Sequence, residues 1–113
     1  MWKKDEQYKG FMPTPRIGHT AVLYENKIVI FGGEGPNKEL FNEIFSYDLS
    51  TSTWSKIQSV GSLPAPRSYH TACINQDNMI IFGGIGEDNQ FFDTLHSLNL
   101  SKKKKKKNLF FFI

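Results

Sequence analysis

Three histidines, one cysteine and two arginines in matching contexts are the side chains of this 113-residue chain that most invite a chemical role. Histidine can move a proton or ligate a metal, and cysteine can attack as its thiolate. Their spacing argues otherwise. His19 and His70 are displaced by 51 positions, and so are Arg16 and Arg67. A residue that recurs at a fixed displacement occupies one structural place in two copies of a unit. The histidines are therefore expected to hydrogen-bond between strands or units, and the arginines to bond carbonyls at the entry to a strand. His96 matches Phe45 of the other copy, which makes it a strand residue rather than a base. Asp48 and Asn99 also correspond, after a strand, where short polar side chains close turns. Cys73 is alone, so it forms neither an internal disulfide nor a thiolate cluster. Its apolar strand-like surroundings predict a buried, neutral thiol. No catalytic residue, metal site or cofactor is expected.

The elements that must position these residues are repeated with them. Residues 13–50 align without a gap on 64–101: Pro13, Pro15, Arg16, His19, Thr20 and Ala21 meet Pro64, Pro66, Arg67, His70, Thr71 and Ala72. Ile30, Phe31, Gly32, Gly33 and Gly35 then meet Ile81, Phe82, Gly83, Gly84 and Gly86. Within each copy, 19–24 and 28–31, or 70–74 and 79–82, are short β-prone runs separated by turn-forming Asn and Asp, the pattern of a hairpin. A polar loop follows, then a third strand, "NEIFSYDL" or "DTLHSLNL", and in the first copy a fourth, "TWSKIQ". Four antiparallel strands in about 50 residues are one blade of a β-propeller. Gly32-Gly33 and Gly83-Gly84 end an apolar strand where the chain turns and where a Cβ would clash. "GGEG" and "GGIG" lack the spacing of a dinucleotide-binding loop, and no amphipathic helix follows them.

"P-x-P-R-x-x-H-T-A", then "I-F-G-G", then "Y-D-L-x-x-x-x-W" resemble a kelch repeat. "PTPRIGHTAVLYENKIVIFGGEG" is similar to the subtype found in Rab-effector-like and host-cell-factor-like kelch proteins. The resemblance covers residues 13–101 and implies an all-β chain of two four-stranded antiparallel blades of an incomplete propeller. It implies a structural role for Arg16, His19, Gly32, Gly33, Trp54, Arg67, His70, Gly83 and Gly84, with Trp54 covering a blade edge against its neighbour. Some kelch-like propellers are enzymes, a copper-radical oxidase and sugar epimerases among them. The tyrosine–cysteine and histidine set of the copper oxidase has no counterpart here, so a remnant of a sugar-acting enzyme is only an alternative.

What the resemblance implies instead is a non-enzymatic adaptor, scaffold or effector that binds other proteins through loops on one rim. The two copies differ in those loops, "EGPNKELFN" (34–42) against "IGEDNQFFD" (85–93). Glu34, Asn37, Lys38, Glu39, Glu87, Asp88, Gln90 and Phe91 are the candidate partner-binding residues. Phe41 and Phe92, which align, are expected to pack into the blade.

The ends of the chain break the pattern. Residues 1–12 look like the outer strand of a preceding or closing blade, 13–63 form repeat 1 and 64–101 repeat 2. Where "TSTWSK" should recur stands Lys102–Lys107, so the second blade is expected to lack its outer strand and 102–113 to be a disordered low-complexity tail. The lysine run has three readings: a nuclear-localisation or anionic-surface patch, a solvated tail, or translated A-runs and T-runs in a truncated gene. The last is favoured, which leaves a non-functional fragment as the other alternative. Two blades cannot close a ring; self-assembly of incomplete blades, three copies to a six-bladed ring, is one escape. The net charge of +3 comes from this run: without its six lysines the chain has eight Lys and Arg against eleven Asp and Glu. The acidic body excludes a nucleic-acid surface. The N-terminus matches no secretory or transit signal, and no run approaches the roughly 20 apolar residues of a membrane span. A cytoplasmic protein is expected, with a nuclear location allowed by the lysine run.

Overall fold

The structure, a computed structural model, describes residues 1–5, 7–101 and 108–112. Its strands are β1 Lys9–Gly10, β2 Thr20–Tyr24, β3 Lys27–Phe31, β4 Ile44–Asp48, β5 Thr53–Lys56, β6 Ser59–Val60, β7 Thr71–Asn75, β8 Asn78–Phe82, β9 Leu95–Asn99 and β10 Asn108–Phe112. They make two five-stranded sheets, ordered β1-β5-β4-β3-β2 and β6-β10-β9-β8-β7. Among the described residues there is no α-helix, only a 3₁₀ turn at Glu87–Asn89.

The registers repeat with the sequence. Thr20 pairs with Phe31 and Ala21 with Ile30 in the first sheet; Thr71 pairs with Phe82 and Ala72 with Ile81 in the second. Phe31 then faces Ile44, as Phe82 faces Leu95. Equal spacing between β-branched runs and equal two-residue turns force equal pairing. Glu25 and its counterpart Gln76 both take positive φ, 53° and 55°, to make those turns.

Each blade buries what its neighbour covers. Val29, Phe31 and Ile44 of the first blade join Met79, Ile81, Leu98 and Leu100 of the second in one core, flanked by Val22, Tyr24, Ala72 and Ile74. Side chains alternate across a strand, so the second blade contributes Met79 and Ile81, whereas the first contributes the residues of opposite parity. The twins of Val29 and Phe31 are Ile80 and Phe82, on the far side, where Phe82 is 49% exposed against 0% for Phe31.

Three expectations are corrected. The second blade does not lack an outer strand: Asn108–Phe112 pairs antiparallel with β9, Phe110 opposite Leu98 and Phe112 opposite His96. An aromatic β-prone run supplies the strand that the broken repeat seemed to omit. Lys102–Lys107, with the readings attached to them, lie outside the described residues. At the other end, residues 1–5 form no strand and Trp2 is fully exposed. Lys9–Gly10 instead runs parallel to β5 of the first blade, Gly10 beside Trp54. The third correction is Cys73, which is exposed, because β7 alternates and its inward positions are Ala72 and Ile74.

Candidate functional site: the rim between the two blades

The repeated motif residues are consumed in holding the blades together. Gly33 donates its N–H to the Arg67 carbonyl (2.9 Å), and the Arg67 N–H returns to the Phe41 carbonyl (3.1 Å). Asn42 Nδ2 donates to the Pro64 carbonyl at 3.1 Å. A Cβ on Gly32 would sit 2.8 Å from the Arg67 carbonyl oxygen and 2.9 Å from His70 Cε1, and its φ is +73°. Both the turn and the close approach of the next blade therefore demand glycine here.

His70 is 5% exposed. Its Nε2 lies 2.8 Å from Thr20 Oγ1 of the first blade, and its ring meets Phe31 edge-on at 5.2 Å. Burial, reinforced by the charge of Arg67, pushes its pKa down to about 4, so the ring is neutral and serves as a strut. His19, its twin, is exposed, so within this chain the inter-blade contact is made by His70. Tyr24 makes a further link between the blades, donating to Asp77 Oδ1 at 2.8 Å. Burial and that bond push its pKa up to about 12.

Arg16 and Arg67 behave alike. Their Nε atoms donate to the carbonyls of Thr14 and Ala65 and their Nη1 atoms to those of Gly32 and Gly83. Each guanidinium stacks on an aromatic ring, Phe41 at 4.1 Å and Phe92 at 4.0 Å, a favourable cation–π geometry. Trp54 rests on Tyr47 of its own blade, ring centres 4.8 Å apart. Asp48 Oδ1 accepts the Ser50 and Thr51 N–H groups, and Asn99 Oδ1 that of Ser101. His96 is buried in β9 with Nε2 3.3 Å from Thr94 Oγ1; burial, then the charge of Arg67, lowers its pKa.

The loops keep the same anchoring backbone hydrogen bonds while changing their side chains. Ile17 and Glu34 exchange paired N–H···O bonds at 2.9 and 2.8 Å, and Ser68 and Ile85 do the same at 3.0 and 2.8 Å. Phe41 and Phe92 each donate to the carbonyl of the second glycine at 2.9 Å, and Lys38 and Asn89 share positive φ. Held this way, the two loops line one groove of about 680 Å³. Glu34, Lys38, Glu39, Glu87 and Asp88 of the sequence-derived set stand on it, joined by Leu40, Ser68, Ile85, Gly86 and Asn89. Glu39 is partly engaged in shaping its own loop, accepting the Asn37 N–H at 2.8 Å. Asn37 is exposed beside the groove without lining it, while Gln90 and Phe91 line a separate cavity. Ser68 escaped the sequence reading because it lies in the motif segment rather than in the variable loop. Tyr69 escaped it too, although a signal was present: it aligns with Gly18. Both take positive φ, 56° and 69°, and the Tyr69 N–H donates to the Gly18 carbonyl at 2.7 Å. A bulky residue in this region is strained.

Antiparallel blades packed face to face around a shared core, with glycine turns and buried arginines at each junction, define part of a kelch-type β-propeller. Residues 1–109 match the KLHDC2/KLHL20/DRC7 kelch-repeats domain, and the chain belongs to that family. It is 41% identical over 92 residues to acyl-CoA-binding domain-containing protein 5 of Arabidopsis thaliana, covering 80% of this chain and 14% of that protein. It is 40% identical over 82 residues to human host cell factor 2, covering 67% of this chain and 10% of that protein. The solved structure of YjhT superposes with a TM-score of 0.71 at 18% identity, over 87% of this chain and 37% of that one, which shows the fold. The chain thus spans a small part of the relatives it matches. Among the described residues, no helix is long and apolar enough to cross a membrane.

Proposed function

We propose that this chain is a non-enzymatic protein-interaction module that takes a basic, extended segment of a partner protein into the groove between its two loops. The observation that carries this reading is the charge of that groove: Glu34, Glu39, Glu87 and Asp88 against Lys38. A frame held constant by backbone bonds, bearing loops that differ in sequence, suits recognition. The motif histidine and arginines are occupied in structural contacts, which supports a binding role over a catalytic one. Relatives in this family include proteins named as a host cell factor and as a subunit of the dynein regulatory complex, names in keeping with work in assemblies.

The test is fluorescence anisotropy with a lysine- and arginine-rich peptide and a charge-reversed control. Glu87→Gln with Asp88→Asn is expected to weaken the basic peptide's binding by about tenfold, roughly 1.4 kcal/mol, and added salt to weaken it further. Equal affinity for both peptides, or no change in the double variant, would overturn the reading.

A further inference from the structure

Arg67 is a buried cation whose repeat twin has partners that it lacks. Both arginines use Nε and Nη1 in the same way, but their Nη2 atoms part company. Arg16 Nη2 donates to Thr14 Oγ1 at 3.2 Å and pairs with Glu43 Oε1 at 3.3 Å. The corresponding positions of the second repeat hold Ala65 and Thr94. The hydroxyl and the carboxylate are lost together. Yet Arg67 is 1% exposed, and no described carboxylate lies within the 4.0 Å of an ion pair with it.

Where Glu43 fills space in the first blade, the second has a cavity of about 540 Å³ whose walls include Leu63, Pro64, Arg67, Phe92, Thr94 and His96. Thr94 stands on that wall at the position from which Glu43 reaches Arg16, and Arg67 itself lines the cavity. Burying a guanidinium without a carboxylate partner is costly. With Nε and Nη1 engaged by backbone carbonyls, Nη2 remains to donate a charge-assisted bond to a carboxylate, as Arg16 Nη2 does to Glu43. Phe91, 78% exposed, stands at the edge of the cavity and offers apolar contact to whatever carries the acid.

We propose that the cavity beside Arg67 is a carboxylate-binding site, in which an acid from outside the chain takes the place that Glu43 fills in the first blade. The source is a free small carboxylate or the acidic side chain of a partner. Asp93, also on the wall, opposes the anion and sets the site to bind weakly. This site is separate from the acidic groove and prefers the opposite charge, so either can fail without the other.

The test uses the full chain in two arms, read by backbone amide shifts and thermal unfolding. One arm compares sodium acetate with sodium chloride at matched ionic strength; the other compares a blocked glutamate peptide with its glutamine version. A saturable acetate response centred on Phe92, Thr94 and His96 identifies a free acid as sufficient. A preference of about tenfold for the glutamate peptide identifies a partner side chain. Absence of both overturns the proposal. Ala65→Thr with Thr94→Glu rebuilds the first blade's arrangement, and is expected to raise the melting temperature and abolish both responses. Responses that survive it overturn the proposal. Asp93→Asn, which leaves the arginine's contacts intact, is expected to tighten binding severalfold; weaker binding would count against it.

Discussion

The forward faces of the two blades present the same motif in opposite circumstances. On the first, Phe31, Gly32 and Gly33 are buried beneath Arg67 and His70 of the next blade. On the second, Phe82 is half exposed, and a Cβ on Gly83 would meet only the Phe92 carbonyl oxygen at 3.5 Å, an ordinary contact. One sequence phrase is thus a core element in one place and a surface in the other. A repeat motif specifies a junction, and a junction needs two sides.

The largest contrast is expected from Phe31→Ala against Phe82→Ala in denaturant unfolding. Removing the buried ring should cost about 3–5 kcal/mol; removing the half-exposed one should cost about 1 kcal/mol. Equal losses would mean that the open face is covered in solution. Gly32→Ala and Gly83→Ala sharpen the comparison, because the two backbones are matched in φ, +73° and +74°. The conformational cost, about 1–2 kcal/mol, is then common to both. Only Gly32→Ala should add a clash with Arg67 and His70, so a larger drop in melting temperature for Gly32→Ala measures the blade contact itself.

Acidification gives the most gradual effect. His70 has a native pKa of about 4, below the ordinary histidine value of 6.5, so the unfolded chain binds the extra proton first. Its contribution to stability is present above pH 6.5 and is lost as the pH falls toward 4. Thermal melts across that range should show the loss in the parent and a smaller one in His70→Gln. A pH profile unaltered by the substitution would place the titration elsewhere.

How much of this was legible follows the same division. The hairpins and the glycine turns were visible because they depend on local sequence that recurs at a fixed displacement. The burial of His70 against the exposure of His19 was not, since it depends on what stands beside each blade. Cys73 was misjudged because a run that is apolar on both sides hides which face is turned inward. The outer strand at Asn108–Phe112 could not be read from the repeat because it lies out of phase with it. Charged loop residues singled out in the sequence do border the groove, and so does Ser68, a motif position that nothing in the sequence singles out. The empty place beside Arg67 could have been found by asking which partners of a conserved contact fail to recur.

The path between the blades has a mechanical consequence. Ile57 still donates to Ile44 of the first sheet at 2.8 Å, while Ser59 already pairs with Asn108 on the outer edge of the second. One residue, Gln58, spans the gap, and a residue reaches about 3.5 Å at most. The blades are therefore tied at their circumference by the covalent chain and near their axis by the packing of β2 on β7. A wedge fastened at both radii has no free hinge, so the angle between blades is fixed by tether length as well as by the core, and the rim loops keep their separation under load.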